Sequence, residues 1–191
     1  MNVSLLDAAE QQKLLQWARQ AIQAAVAGQD SPPISEMELT EGLRATYGAF
    51  VTLKEFGELR GCIGKMDFQQ PLWSNTVSAA IASALEDPRF PPVTESELRL
   101  IRLEISVIEP PRELPQVELF DPQRHGIIVE AGHRHALLLP KVAQEYGWGA
   151  QKTLETVCLK AGLPPDAWQD PAALLQIFEA FDFGENLPAG Q

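Results

Sequence analysis

Cys62 stands in the segment Arg60-Gly61-Cys62-Ile63-Gly64-Lys65, and no other stretch of the chain gathers as many groups able to do chemistry. Arg60 and Lys65 bring positive charge to either side of a thiol. A nearby cation lowers a thiol's pKa and makes the nucleophilic thiolate more available. Gly61 and Gly64 would let backbone N–H groups face a ligand, with Arg60 as an anion anchor. The competing reading is plain packing: a small buried thiol in a tight strand, with glycines where neighbours come close. On residue physics alone the packing reading outweighs the chemical one. The segment is not a phosphate-binding loop, because Gly57 and Gly64 have the wrong spacing and Met66 stands where a Ser or Thr is needed.

Three further sets of residues could do chemistry. Asp87 and Arg89, set among Pro88, Pro91 and Pro92, either line a rigid pocket or pair with each other, with Phe90 plugging the core. Glu104 lies on the opposite strand face from Leu103 and Ile105, so it is an acid or base if that face lines a cleft and merely solvated otherwise. His125 precedes a strand and is the best placed of the three histidines. His133 and His135 share one side of a strand, but no third ligand is close in sequence, and no metal is assigned to them. No motif for a metal, a dinucleotide or a serine nucleophile occurs, so no cofactor is assigned.

The elements that must position these groups alternate in type. A capping box at Ser4 and Asp7 opens a first helix carrying Leu14, Ala18, Ala21, Ile22 and Ala25, stopped by Gly28. Asp30-Ser31-Pro32-Pro33 follows as a linker. Residues 48–54 and 59–64 form a hairpin around the turn Glu55-Phe56-Gly57-Glu58, and its two glycines point to a bulge or a close backbone approach. Pro71 opens a helix that ends at Asp87-Pro88. The alternation Ile101, Leu103, Ile105, Val107 marks a half-buried strand. A second hairpin brackets Ala131-Gly132-His133, helices follow from Pro140 and around Leu154 to Ala161, and a last strand carries Ile177 to Phe183. Both halves thus read hairpin then helix, the pattern of a structural duplication without a residue-level repeat.

The chain has 191 residues, 45% hydrophobic and 21% charged, enough for a core without disulfides. Its net charge of -11, from 15 Lys and Arg against 26 Asp and Glu, argues against nucleic acid and anionic membranes as partners. The two cysteines, Cys62 and Cys158, suit a reducing compartment. The first residues lack the basic and apolar regions of a signal peptide, and no apolar run approaches the roughly 20 residues of a membrane span, so a cytoplasmic location is expected.

Leu59-Arg60-Gly61-Cys62-Ile63-Gly64 matches letter for letter the signature hexapeptide of the AMMECR family, which includes the AmmeMemoRadiSam system protein A of bacteria and archaea. Gly48–Lys54, Asp87–Val93, Leu103–Ile108, His125–Ile127, Leu137–Pro140, Gly147-Trp148 and Lys160–Pro164 also resemble family blocks in family order. The resemblance spans Leu14 to Phe183. His133-Arg134-His135 departs from it, since relatives more often carry Gly there. The resemblance implies an α+β fold with a mainly antiparallel, barrel-like sheet, flanking helices and a minor subdomain. The expected organisation is an N-terminal helix over 1–30 packed on a single domain over 31–191. It further implies association with a MEMO-type protein and a radical-SAM protein in a modification pathway, with a pocket at the hexapeptide and an unidentified small-molecule ligand. Whether the chain is an enzyme is left open. The alternative expectation is a non-catalytic binding or adaptor module.

Overall fold

A computed structural model describes residues 6–185. The chain divides into two compact units, Met1–Ile108 with Phe181–Gln191, and Glu109–Ala180. The fold is α+β, and every strand pair with a defined register is antiparallel.

In the first unit, α1 (Ala8–Val26) begins at Asp7, whose carboxylate accepts from the N–H groups of Ala9 and Glu10, while Glu10 reaches back to the N–H of Asp7. The capping box therefore sits three residues later than the sequence predicts; Ser4 lies outside the described residues. Strands β1 (Gly48–Glu55) and β2 (Glu58–Lys65) form the expected hairpin, and β3 (Ile101–Ile108) pairs with the other side of β1. The turn holds two left-handed residues, Phe56 at φ 52° and Gly57 at φ 88°. That geometry matches the right-handed twist of a two-residue hairpin, and Phe56 carries the strain of it. A short helix, α2 (Glu41–Arg44), precedes the hairpin, and α3 (Leu72–Leu85) follows it.

Alternation along these strands sorts their side chains. Ala49, Val51, Leu53, Leu103, Ile105 and Val107 are fully buried and join Leu14, Ala18 and Ile22 of α1 and Ala79 and Ala80 of α3 in one core. The opposite face carries Phe50, Thr52, Lys54, Glu104 and Ser106.

In the second unit, β5 (His125–Ala131) and β6 (Arg134–Leu138) form the second expected hairpin. β7 (Leu174–Gly184) belongs to this unit as far as Ala180, where it pairs with β5 and with the two-residue β4 (Arg112–Glu113), and its last residues, Phe181–Gly184, belong to the first unit. Helices α4 (Pro140–Tyr146) and α5 (Ala150–Lys160) follow the hairpin, and Leu154, Val157 and Cys158 pack with Ile127, Val129 and Ile177 in a separate core. Pro140 sits in the first turn of α4, and Gly162 at φ 70° ends α5. Each unit so contains a hairpin followed by a helix. No helix among the described residues is long and apolar enough to cross a membrane.

Candidate functional site

The register of the first hairpin decides where Cys62 points. At the turn Glu55 faces Glu58 and Lys54 faces Leu59. Carried on without interruption, that register would set Cys62 opposite Val51 and turn its thiol into the core. A bulge between Leu53 and Lys54 leaves Arg60 unpaired and shifts the ladder by one, so Cys62 faces Thr52. One extra residue flips every later side chain of a strand to the other face. Cys62 therefore lies on the sheet face that carries Thr52 and Glu104, half-buried, with Sγ 3.3 Å from Thr52 Oγ1.

Thr52 faces Glu104 on β3, so Cys62, Thr52 and Glu104 make one row across three strands. Lys54 Nζ lies 2.6 Å from Glu104 Oε1, both side chains being a little over one-third exposed. One step along the same face, the Ser106 hydroxyl donates to Asp182. Beside Glu104, Gly184 brings no side chain: a Cβ there would stand 3.1 Å from Glu104 Cγ.

Asp87 and Arg89 hold the outer edge of this row. Arg89 grips the Asp87 carboxylate with two donors, Nε at 2.9 Å and Nη2 at 2.6 Å. The Cys62 N–H donates to Asp87 Oδ2 at 2.8 Å, and Arg89 Nη2 donates to the Cys62 carbonyl at 3.2 Å. The two side chains so satisfy both backbone groups of Cys62 on the outer edge of β2, as a further strand would. The paired guanidinium and the Cys62 and Arg89 N–H groups hold the buried Asp87 carboxyl well below the usual carboxylate range, against the opposing effect of burial. Next to it, the Ser83 hydroxyl accepts from the Ile63 N–H and donates to the Val51 carbonyl.

Arg60, displaced by the bulge, is buried. Its Nε donates to Glu97 at 2.7 Å and its Nη2 to the Pro92 carbonyl at 3.4 Å, while Nη1 is buried with no hydrogen-bond partner among the described residues. Arg60, aided by Thr94, lowers the Glu97 pKa to about 2. Gly61 and Gly64 are spaces that neighbours fill. A Cβ on Gly61 would stand 2.2 Å from the Ser83 carbonyl of α3, and one on Gly64 would stand 2.3 Å from the Phe50 ring.

His125 belongs to the second unit. It is buried, Nδ1 accepts from the Asp121 N–H at 3.2 Å, and Nε2 lies 3.4 Å from Arg112 Nη2. Burial first, then the Arg112 charge, pushes its pKa down, so the ring is held neutral. Among the described residues no three or more His, Cys, Asp or Glu side chains are grouped to hold a metal ion. The structure thus gathers Cys62, Glu104, Asp87 and Arg89 with Arg60 in one unit. It adds Thr52, Lys54, Ser106 and Asp182, which sequence reading missed. Thr52 and Lys54 were reachable: both alternate with Val51 and Leu53 on β1, and a bulge in β2 was already indicated by its glycines.

Comparison with known proteins gives consistent matches. The AMMECR1 family model matches residues 15–183. Protein MK0488 of Methanopyrus kandleri is 46% identical over 166 residues, covering 82% of this chain and 80% of that protein. A protein of Methanothermobacter thermautotrophicus is 40% identical over 195 residues, covering 97% and 100%. The crystal structure of the uncharacterized protein PH0010 from Pyrococcus horikoshii superposes with a TM-score of 0.85 at 37% identity, over 94% of this chain and 93% of that one.

Proposed function

The chain belongs to the AMMECR1 family, and from that premise we propose that it serves a MEMO- and radical-SAM-associated modification pathway through a thiol-centred pocket on the polar face of β1, β2 and β3. The observation that carries the site is the row Cys62–Thr52–Glu104, with Lys54 bonded to Glu104. Within it Cys62 is the nucleophile or ligand-holding thiol, and Glu104, kept near Lys54, is the acid or base. Asp87 and Arg89 fix the Cys62 backbone from the edge, leaving the sulfur as the group free to meet a ligand. The exposed half of the Arg89 side chain adds a positive charge at that edge for an anionic ligand group. The pathway itself rests on the family resemblance.

Alkylation of the folded protein tests the site, with Cys158 as internal control. Cys158 is fully buried, and burial pushes its thiol pKa up. Peptide mass spectrometry after iodoacetamide treatment should find Cys62 modified at least tenfold faster than Cys158. Equal, slow modification of both would remove the thiol from the function. Co-purification with a MEMO-type or radical-SAM protein from the native host tests the pathway, and capture of neither counts against it.

A further inference from the structure

The thiol row contains a hydroxyl whose partner among the described residues is the thiol itself. Thr52 is buried, at 6% exposure, and the Cys62 sulfur is the hydrogen-bond partner of its hydroxyl, at 3.3 Å. A buried hydroxyl that donates to nothing is costly, so its proton has reason to point at the sulfur. A thiolate can only accept, and a charged acceptor makes the stronger bond. The charges facing Cys62 divide between signs. Glu104 on β3, next in the row beyond Thr52, opposes a thiolate, and Lys54 on β1 neutralises it at 2.6 Å. From the edge, Arg89 is bonded to Asp87, reaches the Cys62 carbonyl and keeps half of its side chain exposed. On β2 itself Arg60 is taken by Glu97, and Lys65 stands three residues on. On β7, Asp182 is bonded to Ser106 one step along the face. Among the described residues, the Thr52 hydroxyl is the neutral donor within hydrogen-bond reach of the sulfur.

We infer that Thr52 is a positioning residue that donates its hydroxyl proton to the Cys62 sulfur and stabilises the thiolate form. The inference rests on Cys62 being the working thiol. It names a group that tunes that thiol alongside the Arg89 charge at the edge: a cross-strand hydroxyl, placed by the bulge at Arg60. The matching ligand class is a soft electrophile or a thiol-binding group that approaches from the polar face, since the backbone edge of Cys62 is already closed by Asp87 and Arg89.

The test is the pH profile of Cys62 alkylation, followed at that residue by mass spectrometry, in the unsubstituted chain, Thr52→Val and Thr52→Ser. Loss of one hydrogen bond to a charged acceptor should move the profile up by about one pH unit. A thiolate of higher pKa is also intrinsically more nucleophilic. Thr52→Val should therefore react at about one-third of the original rate on the acid side of the profile and about three times the original rate on its alkaline plateau. A merely structural role would not make the curves cross. Thr52→Ser, which keeps the hydroxyl, should restore the original profile. Should Thr52→Val fail to fold by circular dichroism, Thr52→Ala gives the same readout. Superimposable profiles for the unsubstituted chain and the hydroxyl-free variant overturn the inference alone. A Cys62 as unreactive as Cys158 in the unsubstituted chain overturns both the inference and the function on which it rests.

Discussion

Asp87 shows how a residue assigned to a pocket can earn its place by structure. Its side chain is nearly fully buried, it accepts from the Cys62 N–H, and Arg89 closes on it with two donors. Asn would give the Cys62 N–H and the two Arg89 donors a neutral acceptor in place of a buried carboxylate, so Asp87→Asn should lower stability by about 1 kcal/mol or more, read from urea unfolding at pH 7. The pH dependence has a definite sign. The folded carboxyl sits well below its ordinary range. Its contribution is therefore fully present above the unfolded pKa of about 3.9 and is lost as pH falls from there through the folded value. The unsubstituted chain should lose stability below about pH 4 more steeply than Asp87→Asn does; parallel curves would show that the carboxylate contributes nothing. The local Asp87–Arg89 pair was legible in the sequence, because the two lie two residues apart. Their hold on Cys62 was not, since it spans 25 residues and depends on a fold that brings the end of α3 beside β2. Lys54 and Glu104, 50 residues apart, were invisible as a pair for the same reason.

At the scale of elements, the hexapeptide is the place where a helix meets a strand. The missing side chain of Gly61 admits the Ser83 carbonyl of α3, and the missing side chain of Gly64 admits the ring of Phe50 from β1. The two glycines should respond differently to alanine. Gly61→Ala meets a backbone oxygen at 2.2 Å, and that carbonyl, in the last turn of α3, moves only if the turn itself moves. Gly64→Ala meets a ring, which a second substitution can shorten. Gly61→Ala should cost about 2 kcal/mol or more, whereas the loss in Gly64→Ala should be partly recovered by Phe50→Leu; thermal unfolding of the single and double variants measures both. Recovery of Gly61→Ala by any neighbouring side-chain truncation would contradict the backbone contact. Strand alternation in Ile101–Val107 and helix spacing around Leu154 were clear in the sequence, because buried faces impose a period. The bulge was only hinted at by the glycines. Its position, and hence the face that Cys62 occupies, depended on Arg60 finding Glu97 and the Pro92 carbonyl 32 to 37 residues away.

For the whole molecule, charge is the property on which sequence and structure speak most directly together. The chain carries -11 from 26 acidic and 15 basic residues. At least seven of those 15 bases, Lys13, Arg19, Arg44, Lys54, Arg60, Arg89 and Arg124, are held by carboxylates of the chain itself. A phosphate backbone would have to compete with these carboxylates for their guanidinium and ammonium groups, and would meet a surplus of acid around them. Binding to nucleic acid draws its nonspecific strength from free cations that release counterions, with affinity falling steeply as salt rises. The family blocks could not decide this point, because they mark a shared fold and not the surface charge of one member. The expected outcome is passage through a heparin column in the unbound fraction at about 50 mM salt, within the range where phosphate-binding proteins hold most tightly. Binding to an anion exchanger under the same conditions would show that the protein carries the net negative charge its sequence dictates. Retention on heparin with a steep salt dependence would instead reveal a basic surface that these pairs do not neutralise, and would reopen polyanions as ligands of this chain.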